Sequence, residues 1–266
     1  MKVRLARQKN CHKGENGRLL IVAGSNVYTG SPVFNAMAAL KSGIDIVKII
    51  TLRRPAEIAA SFKPDIITIP VKKYDNKALK IILEESKRHD ALLIGGGLER
   101  SKGCYRFIRK VIASVDIPMI IDAEAIRALG YYYNVLEGKE FVLTPHANEF
   151  LAFTGEEGNF VSVREWAEKV KGVILLKGSQ DLISDGTKVV ANKTGNPYMA
   201  KGGFGDVLAG ICAGLVSRKV GLFESACLAA YVNGKAGDLL FNDKGPGMIA
   251  SEIFDYIPKV LIRKKE

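Results

Sequence analysis

The chain has 266 residues, 47% of them hydrophobic and 25% charged, with a net charge of +11. Such a balance suits a packed globular core and excludes disordered, collagen-like and disulfide-framed chains. No apolar run approaches the roughly 20 residues of a membrane helix, and the basic start is followed by no apolar segment, so a cytoplasmic protein away from membranes is expected.

Residues 18–23 read as a buried strand that ends at Gly24-Ser25. A loop leads to Ser31, a candidate helix cap before Pro32, and a helix then runs to Gly43. Strands follow at 44–51 and 65–70, with a helix at 76–87. The strand at 91–94 stops at Gly95-Gly96-Gly97. A helix at 105–114 leads to a strand at 119–121 and then to Asp122. The strand at 141–143 ends in Thr144-Pro145-His146, and helical pieces follow at 148–153 and 162–171. The strand at 173–176 ends in Lys177-Gly178. Residues 182–184 and 188–191 form a hairpin around Asp185-Gly186. Three helices close the chain: one at Asp206, one at 224–240 and one at 250–262. Alternating strands and helices with short loops predict an α/β, three-layer sandwich with a mostly parallel central sheet, as one domain over 1–266.

Glycine and polar residues recur wherever an apolar strand stops. In open parallel sheets, ligands bind outside the carboxyl ends of the strands. The most informative stretch is 195–218, a turn and the glycines Gly202, Gly203 and Gly205 before Asp206 and a buried helix. Amides at a helix start have no intrahelical partner, and glycine lets a phosphate approach them. The same pattern also suits a tight turn with an aspartate cap. It is neither a P-loop nor a dinucleotide fingerprint.

Cys11, Cys104, Cys212 and Cys227 lie far apart, which fits a reducing compartment and argues against a zinc site. The positive charge, with Arg4, Arg53, Arg54, Lys72, Lys73, Arg263, Lys264 and Lys265 among its carriers, is scattered and not interleaved with aromatics. An anionic small substrate is expected rather than nucleic acid. His89 reads as a surface residue, and Tyr131-Tyr132-Tyr133 as packing or a subunit contact.

The motifs GSNVYTGSP (24–32), IGGGL (94–98), IDAEAI (121–126), LTPHANEF (143–150), LLKGSQDLISDG (175–186) and GNPYMAKGGFGDVLAGI (195–211) resemble, in order, those of NAD(P)H-hydrate dehydratases. His12-Lys13-Gly14 resembles their N-terminal HKG. The resemblance implies a ribokinase-like fold without the epimerase domain that many members carry. It implies ADP- or ATP-dependent dehydration of hydrated NADH or NADPH, with Mg2+, in a homo-oligomer such as a tetramer. A phosphoryl group passes to the ring hydroxyl and then leaves as phosphate, restoring NAD(P)H. By that resemblance Asp206 is the base, and Gly202, Gly203 and Gly205 cradle the phosphate. Lys177, Gly178, Ser179, Gln180 and Asp181, with Gly205, bind nucleotide. Ser31, Gly97, His146 and Asp206 meet the dinucleotide. The metal ligands are not assigned. The helix N-terminus is expected to lower the basicity of Asp206, so that it takes its proton late. The chain departs from the family pattern at Ser31 (usually Ala), Phe204 (usually Thr), Glu124 (usually Asp) and in Gly96-Gly97-Leu98-Glu99. The same glycine loop and aspartate would serve a small-molecule kinase of the ribokinase-like group, or a nucleotide-binding protein without catalysis.

Overall fold

The computed structural model describes residue 7 and residues 9–261. Arg4, Arg263, Lys264, Lys265 and the last position of the helix expected at 250–262 lie outside them.

One nine-stranded sheet organises the described residues. Its strands are β1 (Arg18–Val22), β2 (Ile46–Leu52), β3 (Ile67–Val71), β4 (Ala91–Ile94), β5 (Met119–Ile121), β6 (Phe141–Leu143), β7 (Val173–Leu176), β8 (Asp181–Ser184) and β9 (Val189–Asn192). Their spatial order is β3-β2-β1-β4-β5-β6-β7-β8-β9. Pairings through β7 are parallel, and the last two, β7 with β8 and β8 with β9, are antiparallel. The helices are α1 (Ser31–Lys41), α2 (Arg53–Phe62), α3 (Asn76–Ser86), α4 (Lys102–Ser114), α5 (Glu124–Leu129), α6 (Ala147–Thr154), α7 (Phe160–Val170), α8 (Phe204–Ser217), α9 (Leu222–Lys244) and α10 (Ile257–Leu261).

Helices cover both faces, which explains the unbroken apolar runs of the strands. Leu19 and Ile21 point to the layer containing α1, α8 and α9. Leu20 and Val22, one residue out of phase, point to the layer containing α3 to α7. Helix α8 is buried from Val207 to Ser217. It meets α1 almost backbone to backbone. A side-chain carbon on Gly210 would lie 2.4 Å from the Asn35 carbonyl oxygen, and one on Gly214 would lie 2.0 Å from Ser42 Oγ. These glycines let the helix that carries Asp206 lock onto α1.

The chain runs outward from β1 through β2 to β3, then returns to place β4 on the other side of β1. That reversal opens a crevice at the carboxyl ends of β1 and β4. The Gly24 amide donates to the Gly96 carbonyl across it, at 2.8 Å.

Several expectations are corrected. Helix α2 falls where the sequence reading assigns no element; it has no side-chain cap and buries only Pro55, Ala56 and Ala59. The helix expected at 250–262 is a 3-10 turn, Ala250–Asp255, followed by the short α10. Pro258 lacks the amide that a continuous helix would need there. Ser31 does not cap α1: Gly30 holds the cap position and no side chain bonds there. His89 is buried, and its Nδ1 lies 2.6 Å from the Glu85 carbonyl oxygen. The three tyrosines separate in role. Tyr131 is 98% exposed, Arg109 lies over the Tyr132 ring, and Tyr133 packs edge-on against Trp166.

Candidate active site

The loop before α8 is anchored on both sides. Asp238 on α9 accepts from the Gly195 amide and the Asn196 side chain, both at 3.3 Å. Lys201 Nζ donates to the carbonyls of Pro246 and Met248, both at 2.8 Å. Between these anchors the backbone turns at Gly203, whose φ is +99°. A side chain at Gly203 would also strike Ala250 and the Phe34 ring. Among the described residues, no protein acceptor takes a hydrogen bond from the five successive amides of residues 202–206; the first amide of the helix to be satisfied is that of Val207. Five successive donors at a helix start, under the positive end of its dipole, make a cradle for an anion.

Asp206 stands in the first turn of α8 and is partly buried. Its Oδ2 accepts from Ser31 Oγ at 3.2 Å, and its main-chain carbonyl accepts from Asn35 Nδ2 at 2.8 Å. Gly96 closes against Oδ1: a side-chain carbon there would lie only 2.7 Å away. Burial, and then the charge of Asp122, push the Asp206 carboxyl up to about 7, against the pull of Lys177 and Ser31. This corrects the expectation of lowered basicity. Desolvation and the like charge of Asp122 set the direction here.

Asp122 follows β5 and is presented by a strained backbone, since Ala123 has a φ of +48°. It caps no helix. Its Oδ1 accepts from Thr144 Oγ1 and Lys177 Nζ, both at 2.8 Å. Lys177 also lies 3.9 Å from Glu149 Oε2. Burial opposes the charge of Lys177, but Asp122, Glu149 and Asp206 together raise its pKa. In Glu149 burial outweighs the lysine, and its pKa is raised.

His146 caps α6. Its Nδ1 accepts from the amides of Asn148 and Glu149, and the Glu149 side chain accepts from the His146 amide at 2.9 Å. The ring therefore has a structural task whatever else it touches.

A cleft of about 770 Å³ opens beside this cluster. Lys177, Gly178, Ser179 and Asp181 line it with Gly202 and Gly205, while Gln180 does not. Asp181 Oδ1 accepts from the Gly178 amide at 3.1 Å, shaping that loop. His146, expected on the dinucleotide side, lines this cleft too. Ser31, Gly97 and Asp206 are not part of its wall; they gather around Gly96, where a side chain on Gly97 would meet Ser31 and Tyr28 at 3.0 Å. Lys177 and Gly205 join the two areas, since a carbon on Gly205 would stand 3.5 Å from Lys177 Nζ.

The departures from the family pattern have local explanations. Phe204 is buried in the core and also contributes to the wall of the cleft. Glu124 reaches Arg100 and the Tyr105 hydroxyl, each at 2.6 Å. Glu99 is exposed. The sequence reading missed Asn35. Its only trace there was a polar residue among the apolar positions of the first helix.

The sheet, the crevice and the cradle define a ribokinase-like domain. The sequence model of the NAD(P)H-hydrate dehydratase family matches residues 19–259. The chain belongs to that family. It is 35% identical over 268 residues to an ADP-dependent (S)-NAD(P)H-hydrate dehydratase of Cenarchaeum symbiosum, covering 96% of this chain and 92% of that protein. It is 36% identical over 269 residues to a bifunctional NAD(P)H-hydrate repair enzyme of Methanothermobacter thermautotrophicus, covering 96% of this chain and 52% of the relative. The chain thus spans about half the length of several curated relatives it matches. A crystal structure of the ADP/ATP-dependent NAD(P)H-hydrate dehydratase of Bacillus subtilis, co-crystallized with ATP/Mg2+, superimposes with a TM-score of 0.84 at 27% identity, covering 96% of this chain and 92% of that one.

Proposed function

We propose that this chain dehydrates hydrated NADH or NADPH, driven by ADP or ATP. Hydroxide is a poor leaving group and phosphate a good one, so phosphorylating the ring hydroxyl makes elimination feasible. Asp206 takes the hydroxyl proton as the oxygen attacks phosphorus. A carboxyl at about 7 is well matched to that work near neutral pH. The free amides of residues 202–206 stabilise the charge on the transferred group as fixed dipoles. Lys177, with Gly178, Ser179, Asp181 and Gly205, forms the nucleotide end of the cleft. Ser31 and Gly97, around Gly96, form the dinucleotide end. The ring nitrogen lone pair then expels phosphate, and NAD(P)H is restored. The observation that carries this reading is the pairing of five unspent amides with a basic carboxylate at one helix start.

Among the described residues, no three His, Cys, Asp or Glu side chains converge on a metal position. The nearby carboxylates of Asp122 and Glu149 are already engaged by Lys177. The described residues therefore form no magnesium cage of their own, and Mg2+ ordinarily travels with nucleotide phosphates.

The test mixes the protein with hydrated NADH or NADPH, Mg2+ and either nucleotide, and follows the reduced-nicotinamide absorbance. Its return supports repair. A stable phosphate ester without its return would overturn the dehydratase reading in favour of a kinase.

A further inference from the structure

Asn35 is fully buried on α1, one helical turn beyond Ser31. Its Nδ2 donates to the Asp206 main-chain carbonyl at 2.8 Å. A carbonyl can only accept, so the amide orientation is determined: nitrogen toward Asp206, oxygen away from that bond. The oxygen, Oδ1, is buried and has no donor among the described residues. An acceptor left this way in a folded interior calls for a reason.

Gly96 supplies the second observation. Its φ is not in the left-handed region, so backbone conformation does not require glycine there. Space does. A side-chain carbon would lie 2.7 Å from Asp206 Oδ1, 3.0 Å from Asn35 Oδ1 and 3.4 Å from Ser31 Cβ. Two acceptor oxygens therefore lie within 3.0 Å of the same spot, which the glycine leaves without a side-chain carbon. While Asp206 is ionised, both groups only accept. Once Asp206 is protonated, its carboxyl becomes a donor.

We propose, resting on the reading of Asp206 as the base, that Asn35 is a positioning residue with two tasks: its amide fixes the main chain of Asp206, and its Oδ1 receives the hydrogen bond of the Asp206 carboxyl after the substrate proton has moved. In that step the substrate O–H bond breaks, and its electron pair forms the new oxygen–phosphorus bond. The bond from phosphorus to the nucleotide's bridging oxygen breaks, its electron pair leaving on the nucleotide. The proton resides on Asp206 Oδ1, which turns from acceptor to donor and gives its hydrogen bond to Asn35 Oδ1 in this proposal. The remaining groups facing Asp206 are Asp122 after β5, Glu149 on α6, Lys177 after β7 and the Ser31 hydroxyl. All four are unchanged when Asn35 is replaced.

The experiment follows the Asp206 carboxyl by carbon NMR in the free protein, residues 1–266, labelled at aspartate, with Asp206→Asn identifying the signal. In Asn35→Leu, of similar volume, the neutral form loses its acceptor, so the titration midpoint should fall by about one pH unit. Its kcat for the hydrate should drop about tenfold with KM within about twofold, an interaction gained only as the reaction proceeds. A folded Asn35→Leu protein that titrates and turns over like the native one overturns the proposal. Should that variant not fold, Gly96→Ala decides, because its methyl would stand 2.7 Å from Asp206 Oδ1 and 3.0 Å from Asn35 Oδ1 and so press on any contact between them. A lowered midpoint supports the proposal and an unmoved one overturns it. The titration needs no hydrate: a shifted midpoint in a protein inactive toward the hydrate would sink the dehydratase reading and leave the Asn35–Asp206 contact standing.

Discussion

Asp122 and Asp206 lie close to the same lysine, but their surroundings differ. Asp122 is almost fully buried, and one of its oxygens takes hydrogen bonds from both Thr144 and Lys177 at 2.8 Å. Asp206 is partly open and takes a single longer one, from Ser31 at 3.2 Å. The first arrangement suits a fixed anion that holds Lys177 in place. The second leaves a carboxylate desolvated and repelled by its neighbour, with basicity to spare. The hydrogen bonds thus separate a carboxylate that holds a lysine from one that is free to meet a substrate proton.

The largest expected effect comes from removing the base. Asp206→Asn should lower kcat by about 10³-fold, within the range found for general bases. It also tests the environment without substrate. The native carboxyl lies at about 7 when folded, against an ordinary value of 3.8. Folding therefore favours the protonated form: its contribution is fully present below the unfolded value and is lost as pH rises through about 7. Asparagine cannot ionise, so the variant should melt above the native protein at pH 8 and level with it near pH 4. Identical melting differences at both pH values would contradict a buried, reluctant carboxylate.

Lys177→Met attacks the other side of the comparison. It leaves Asp122 and Glu149, both buried, without their shared cation. Breaking such a buried pair costs about 3–5 kcal/mol, or a fall of about 10 °C in Tm at this chain length. The gap should narrow from pH 8 to pH 5, because the stranded carboxyls then have raised pKa values and protonation relieves them. Turnover should fall about 100-fold, with a higher KM for the nucleotide. Thermal melting across pH and steady-state kinetics check both parts. A pH-independent loss of stability would mean that packing, not charge, is what the lysine provides.

Strand residues such as Leu19 to Val22 were legible because a two-faced parallel strand must be apolar throughout. The glycine loop before Asp206 was legible because few other sequences leave helix-start amides so accessible. What escaped depended on tertiary neighbours. Helix α2 at positions 53–62 escaped because it has no side-chain cap and buries only three small residues, Pro55, Ala56 and Ala59. Asp206 looked weakly basic because the helix dipole can be read from sequence, whereas burial beside Asp122, 84 positions away along the chain, cannot. Ser31 read as a helix cap because cap propensity is local, and its true partner lies on a different helix. Asn35 escaped for the same reason: α1 and α8 meet only after folding, through Gly210 and Gly214.

The smallest effect expected is at Ser31, and its sign separates it from Asn35. The Ser31 hydroxyl donates to Asp206 Oδ2 and so favours the ionised carboxylate. Ser31→Ala removes that donor. The Asp206 midpoint should then rise by a few tenths of a pH unit, opposite to the shift expected for Asn35→Leu. At pH 7 fewer molecules carry the free base, so kcat should fall about 1.5- to twofold, recovering by about pH 8.5. Alanine is usual in the family at this position, so the variant should remain an enzyme. Stability should change little, since the lost bond is long and only partly buried. A kcat deficit that persists at pH 8.5 with an unmoved midpoint would assign Ser31 to the substrate instead of to the carboxylate, and the contrast between the two α1 side chains would fail.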